Sequence, residues 1–343
     1  MRRLLLSLMV AGTLALAALP SQAAVSLQQQ WQAGQKLTYN TNVDGMLNLQ
    51  LPANVPIMIA GMPLEINLRA AGKTTLDTKS VNDFGDGTVQ VKVDPLSIEA
   101  ESFGQKALIK INNGKAAMTV NGATQDSSFV DWNLLANPPM TLTFSPRMKV
   151  TDFTLLKNDA SQTPNAALPV NVLAIVQNMI LQSLPAMLPE KSINDGDQWT
   201  SEVQFKTSPA PDAQTLKLGT FTFQLKGAET VNGRTLQHIT MNGSLTLPPE
   251  QSRALAEAFG SSAASGGILN GAGKYADVLS KHVLSFTQSM NGDLYFDALE
   301  GHFTQANLNI DAKAKTLPRD DKNGTADGFM DFDGMVRFKL VSK

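Results

Sequence analysis

Enzymatic chemistry needs polar groups that converge, and the side chains able to supply it are few in this chain. There are three histidines, His238, His282 and His302, and no cysteine. None of the histidines stands in a His-Glu-x-x-His or other metal-binding spacing, so zinc-activated hydrolysis has no visible ligand set. The missing cysteines exclude thiol nucleophiles, thiolate-held zinc, iron–sulfur clusters and disulfide scaffolds. No Gly-x-Ser-x-Gly elbow, P-loop or dinucleotide-binding glycine pattern occurs. His238 falls within a strand-like pattern and reads as a surface or hydrogen-bonded β residue. Two carboxylates from distant strands would suffice for a glycosidase, but a sequence does not say which acids meet.

The densest acidic group is Asp320, Asp321, Asp327, Asp331 and Asp333. Placing Gly324 at the sixth position of an EF-hand puts Arg319 at the first position and Met330 at the twelfth, where ligating acids belong, so that motif fails. A solvated turn is the first reading of this stretch and an irregular calcium-binding loop the alternative. Platforms for sugar stacking are scarce too, with Trp31, Trp132 and Trp199 the only tryptophans, and Trp199 on its strand reads as core. Nothing in the sequence calls for a cofactor, and no catalytic motif marks the chain as an enzyme.

The informative residues are apolar. Hydrophobic side chains make up 43% and charged ones 17% of 343 residues, enough for one large β-rich domain or two smaller ones. Fourteen methionines join the leucines and valines, a composition suited to irregular apolar cavities as well as to ordinary gap filling. With 28 basic and 30 acidic residues the net charge is −2, which offers no electrostatic basis for nucleic-acid binding. The first 23 residues read as a cleaved export signal: Arg2 and Arg3, an apolar run from Leu4 to Leu19, then Ser21-Gln22-Ala23. The expected location is the periplasm or the cell exterior, with no transmembrane segment and no lipidation cysteine in the mature chain.

The elements that would position these residues are mostly strands. Asn-Gly or Asp-Gly occurs at Asp44, Asp86, Asn113, Asn121, Asp195, Asn232, Asn242, Asn270, Asn291, Asn323, Asp327 and Asp333, each a type I′ hairpin signal. Period-two alternation flanks them. Leu37, Tyr39, Thr41 and Val43 oppose Lys36, Thr38, Asn40 and Asn42; Val89, Val91 and Val93 alternate with Gln90 and Lys92. The fold class read from this is mainly β, an antiparallel meander forming curved sheets or an incomplete barrel, with a few apolar helices covering one face.

Three segments break the pattern. Residues 169–188 predict a buried helix that Pro185 ends or kinks. Residues 249–281 predict a helical insertion, with a short amphipathic helix before a Ser/Ala/Gly stretch and a second helix at 274–281. Residues 51–64, apolar but carrying three prolines, should lie against something. The domain plan is therefore an export signal at 1–23, an N-terminal β region at 24–160, a linker and apolar helix at 161–190, and a C-terminal β region at 191–343 containing the insertion. Gly34-Gln35-Lys36-Leu37 and Gly196-Asp197-Gln198-Trp199 open the two β regions alike, either by duplication or because β-rich segments share this vocabulary.

The stretch Leu188-Pro189-Glu190-Lys191-Ser192-Ile193-Asn194-Asp195-Gly196-Asp197-Gln198-Trp199, with Gly227 to Arg234 after it, resembles a phrase in uncharacterised secreted bacterial proteins. That likeness spans roughly residues 186–310 and transfers no catalytic residues. At the level of architecture the chain also resembles periplasmic lipoprotein-carrier-like folds, in which an incomplete barrel holds acyl chains under helices. This implies an exported, non-enzymatic binder of an apolar ligand or lipid. Its expected lining is Ile57, Met58, Ile59, Met62, Val176, Met179, Ile180, Leu184 and Phe259. The alternative is a structural or protein-interaction component of the cell envelope, and a hydrolase ranks third.

Overall fold

A computed structural model describes residues 24–50, 63–113, 115–125, 140–155, 186–206, 215–248, 282–318, 326 and 328–343. Fourteen strands account for most of them: β1 (Lys36–Gln50), β2 (Pro63–Val81), β3 (Gly87–Ser102), β4 (Gln105–Asn112), β5 (Lys115–Val120), β6 (Ala123–Gln125), β7 (Met140–Phe144), β8 (Val150–Leu155), β9 (Gln198–Lys206), β10 (Thr215–Val231), β11 (Arg234–Leu247), β12 (His282–Asp297), β13 (His302–Pro318) and β14 (Gly328–Ser342). All belong to one antiparallel sheet in the order β6-β5-β4-β3-β2-β1-β14-β13-β12-β11-β10-β9. The β7–β8 hairpin joins through β7 to the start of β3. The sheet does not close into a barrel, and the expected antiparallel meander is the form adopted.

Each half of the chain supplies a six-stranded meander, and the two meet where β1 pairs with β14 from Thr38↔Ser342 to Gln50↔Phe329. The two β regions therefore share one sheet. Their entrances are built alike. Gly34 N–H donates to Thr78 O at 2.8 Å and Thr78 N–H returns to Gln35 O; Gly196 N–H donates to Leu225 O at 2.8 Å and Leu225 N–H returns to Asp197 O. Both glycines have positive φ, 81° and 88°, which L side chains rarely adopt.

One end of the sheet, called here the strap end, carries the turns 82–86, 231–234 and 297–302, the start of β1 and the end of β14. Across the sheet there runs residues 24–35, bridging Val25 to Ile193 at one side and packing Trp31 on Val89, Leu142 and Phe144 at the other. Gln29 N–H donates to Pro146 O, and Arg147 clips residues 188–190 through Leu188 O and the Glu190 carboxylate. The main core forms between this strap and the sheet, from Leu27 of the strap with Leu188, Ile193, Val203, Phe221, Phe223, Leu225, Ile239, Leu294 and Phe296.

The turn signals divide into two groups. Asn113, Asn121 and Asn232 take positive φ at hairpin turns as expected, and Asp195–Gly196 turns into β9. Asp44, Asn242, Asn291 and Asp333 instead lie mid-strand with the glycines that follow them, which corrects the reading of those dipeptides as turns. At Gly45, Gly243 and Gly334 the reason is room for aromatics, and at Gly292 it is the close approach of the Asn307 backbone, whose carbonyl oxygen would stand 2.0 Å from an added Cβ. A Cβ on Gly243 would stand 2.5 Å from Phe221 Cδ1, and one on Gly45 2.7 Å from Phe332 Cε2. Asn270, Asn323 and Asp327 lie outside the described residues, as do residues 1–23 and the segments read as helices before residue 186 and at 249–281. Residues 186–188, the end of the first predicted helix, are not helical. Asp331 and Asp333 sit on β14 rather than in a turn.

Candidate functional site

Register places the apolar residues of successive strands on one face. From β1 outward, Val43, Leu47 and Leu49 stand opposite Ala70, Ile66 and Leu64 of β2 and opposite Val336, Phe332 and Met330 of β14. The face continues through Ala70↔Ile98 and Leu96↔Ile111 to β4, and through Leu308↔Val336, Leu308↔Gly292, Ile239↔Leu294 and Phe223↔Met241 to Trp199 on β9. Because side chains alternate strictly along a strand, the opposite face is polar: Asn40, Asn42 and Asp44 on β1, Asn307, Asn309 and Lys313 on β13, and Arg337 and Lys339 on β14.

Burial along the apolar face is uneven. Under the strap Phe223, Leu225, Ile239 and Phe296 have no exposed surface, and Trp199 stacks on Phe223 at 5.5 Å with its indole N–H directed at Met187 O. Away from the strap, Val43, Leu47, Leu49, Leu64, Ile66, Leu68, Ile310, Phe332 and Val336 are each only half-buried, and Met330 is 37% exposed. Burying such a side chain completely is worth about 1.5–3 kcal/mol, so each half-buried one leaves part of that stabilisation unrealised. This half-buried region is the candidate site. The nine lining residues expected from the sequence, Ile57, Met58, Ile59, Met62, Val176, Met179, Ile180, Leu184 and Phe259, all lie outside the described residues. Sequence reasoning missed the strand residues that form the face, although their period-two alternation was the signal that marks them.

Polar groups cluster elsewhere. On the polar face His238 Nδ1 lies 2.6 Å from Glu229 Oε1 and its Nε2 2.7 Å from Asp293 Oδ1, with the ring stacked on Tyr295 at 4.9 Å. Each ring nitrogen thus faces a carboxylate oxygen. Burial and the same two carboxylates push the Tyr295 phenol up. At the strap end His302 is buried and Nδ1 donates to Glu300 O at 3.0 Å. Glu300 Oε2 lies 3.3 Å from Nε2 but without hydrogen-bond geometry, so it does not offset the burial that lowers this imidazole's pKa.

Two clefts accompany these groups. One of about 440 Å³ at the strap end is lined by Arg234, Leu236, Thr304, Lys339 and Lys343 among others. The second, about 560 Å³, lies over the Thr220, Thr222, Thr240, Asn242 and Ser244 side of β10 and β11. Neither opens on the half-buried apolar region. No helix among the described residues is long and apolar enough to cross a membrane.

No family model matches the chain, and no curated protein matches it. Among solved structures it is similar to one titled for lipid-protein interactions in lipovitellin, at 9% identity and a TM-score of 0.39. That superposition covers 91% of this chain and 25% of the lipovitellin chain, so the protein spans about a quarter of that neighbour's length. It is also similar to OpdQ of Pseudomonas aeruginosa (8% identity, TM-score 0.16, 90% of this chain and 99% of that one) and to OccK11 (OpdR) of the same organism (8%, 0.17, 93% and 98%).

Proposed function

We propose that the protein is an exported, non-enzymatic binder of an apolar molecule or lipid, held against the part of the sheet that the strap leaves half-buried. The observation that carries this reading is the contrast along one face. Phe223 and Ile239 are sealed under residues 24–35 and 186–193, whereas Leu47, Ile66, Leu68 and Phe332 on the same face keep part of their surface open. An acyl chain or similar molecule laid there would remove that surface from water without needing a directional polar partner. The chemistry of the face fits this role, because its central strands present aliphatic and aromatic carbon with no ionisable group among the alternating positions from Val43 to Leu49 and from Leu64 to Leu68.

The test is uptake of a fluorescent fatty acid by the purified mature protein, in parallel with Ile66→Asn and, as a polar-face control, Asn42→Asp. The reading expects saturable uptake that Ile66→Asn weakens about tenfold, by losing one apolar side chain that the ligand would cover, while Asn42→Asp leaves it unchanged. Equal uptake by all three proteins, or none by the wild type, would overturn it.

A second reading, a protein-interaction component of the cell envelope, has one observation in its favour. Among the described residues β9 pairs only with β10, leaving the outer backbone edge of Gln198–Lys206 without a strand partner.

A further inference from the structure

We propose that the strap end of the sheet rests on a lipid bilayer, with Phe84 and Leu299 entering its interface. Phe84 is 87% exposed and Leu299 is 92% exposed, and each forms the tip of a turn at that end, between β2 and β3 and between β12 and β13. The two turns share a cap that accepts from the tip residue, although the second donor and the glycine fall one residue apart in the two. Asn82 Oδ1 accepts from Phe84 N–H at 3.0 Å and from Asp86 N–H at 2.9 Å; Asp297 Oδ1 accepts from Leu299 N–H and Glu300 N–H, both at 3.1 Å. In each, a glycine of positive φ, Gly85 or Gly301, donates its N–H to the carbonyl of that same Asn or Asp. Each turn thus offers an apolar side chain two residues after its cap, on backbone already fixed by hydrogen bonds. Little ordering entropy remains to be lost when the tip is buried.

The arrangement favours a bilayer over a protein groove. Four inter-strand steps of about 4.8 Å separate the two hairpins, so the tips stand roughly 19 Å apart along the sheet. Between them come the start of β1 and the end of β14, where Val341, 46% exposed, stands apart among Lys36, Ser342 and Lys343, so among the described residues no continuous apolar patch joins the tips. A protein partner recognises contiguous, shape-matched area. A fluid interface accepts isolated side chains at separate points and gives the polar residues between them headgroups and water to bind. Asp77, Asp83, Asp86, Asp297 and Glu300 offset Lys36, Lys79, Arg234, Lys339 and Lys343 at this end, so the surface has no demand for anionic lipid.

The proposal stands on residues separate from the half-buried face and fails separately from it. The experiment is flotation of the mature protein with phosphatidylcholine vesicles. Phe103, 77% exposed on the β3–β4 turn at the opposite end, provides a matched control. The expected result is reversible binding that Phe84→Ser and Leu299→Ser each weaken about tenfold and the double variant abolishes, with Phe103→Ser and 0.5 M salt, at about a 4 Å screening length, having little effect. A Phe84→Trp variant should show a blue-shifted emission quenched by brominated acyl chains. No flotation of the wild type would overturn the proposal. So would equal loss in Phe103→Ser, or self-association that Phe84→Ser removes, which would make a second copy the occupant.

Discussion

Tyr39 on β1 donates its hydroxyl to the carbonyl oxygen of Phe303 on β13, 2.9 Å away and 264 residues later, reaching past β14. The bond ties the first strand of the N-terminal meander to the fifth of the C-terminal one beside the junction that holds the sheet together. Burial pushes the Tyr39 phenol well above the ordinary range.

A raised folded pKa fixes the sign of the pH effect. The contribution of Tyr39 is fully present below the unfolded tyrosine value of about 10 and is lost as pH rises toward the folded one. Tyr39→Phe should destabilise the protein by about 1 kcal/mol at neutral pH, the net worth of one hydrogen bond. Urea unfolding at pH 8 and pH 11 should show a smaller alkaline loss for Tyr39→Phe than for wild type; identical losses would count against it.

His302 acts at the other end of the scale. Burial lowers its pKa, Arg234 adds to the effect and Asp297 opposes it. A group depressed in this way contributes stability above the unfolded histidine value of about 6.5, lost as pH falls through the folded value. The thermal midpoint should therefore drop between pH 7.5 and 5.5, and His302→Gln should flatten that change even if it lowers the midpoint overall. A variant with the wild-type slope would place the acid sensitivity elsewhere.

Gly243→Ala should cost about 1–3 kcal/mol, because the new methyl would meet Phe221 and stand 2.6 Å from Thr220 O, a backbone atom with no freedom to withdraw. Gly233→Ala should cost about 1 kcal/mol for a different reason. Nothing lies within 4 Å of its added Cβ, but its φ is 77°. Denaturant midpoints would separate the two, since a second change that shrinks the aromatic, Phe221→Leu, should partly rescue only Gly243→Ala.

These two glycines also show how far the sequence could be read. Asn232-Gly233 and Asn242-Gly243 are the same dipeptide ten residues apart, one a turn and the other mid-strand. What distinguishes them is Phe221 on the neighbouring strand, a contact that no local window contains. The strands themselves were legible, because alternation such as Leu37, Tyr39, Thr41 and Val43 is a local property of any half-buried sheet. The β1–β14 junction was not, since a hydrophobic pattern says which face is buried but not which edge finds which. The candidate site was legible only as a need for cover over an apolar face. Unusual segments such as Ile57 to Met62 and Val176 to Leu184 stand out in a sequence, whereas the regular residues Leu47, Ile66 and Phe332 that form the face look like those of any half-buried strand.

Native mass spectrometry of the protein, purified without detergent and followed by solvent extraction, tests the central claim most directly. The account predicts a stoichiometric adduct that releases a lipid or other apolar molecule. A clean mass for the bare chain, with nothing extracted and no lipid taken up when it is supplied, would contradict it.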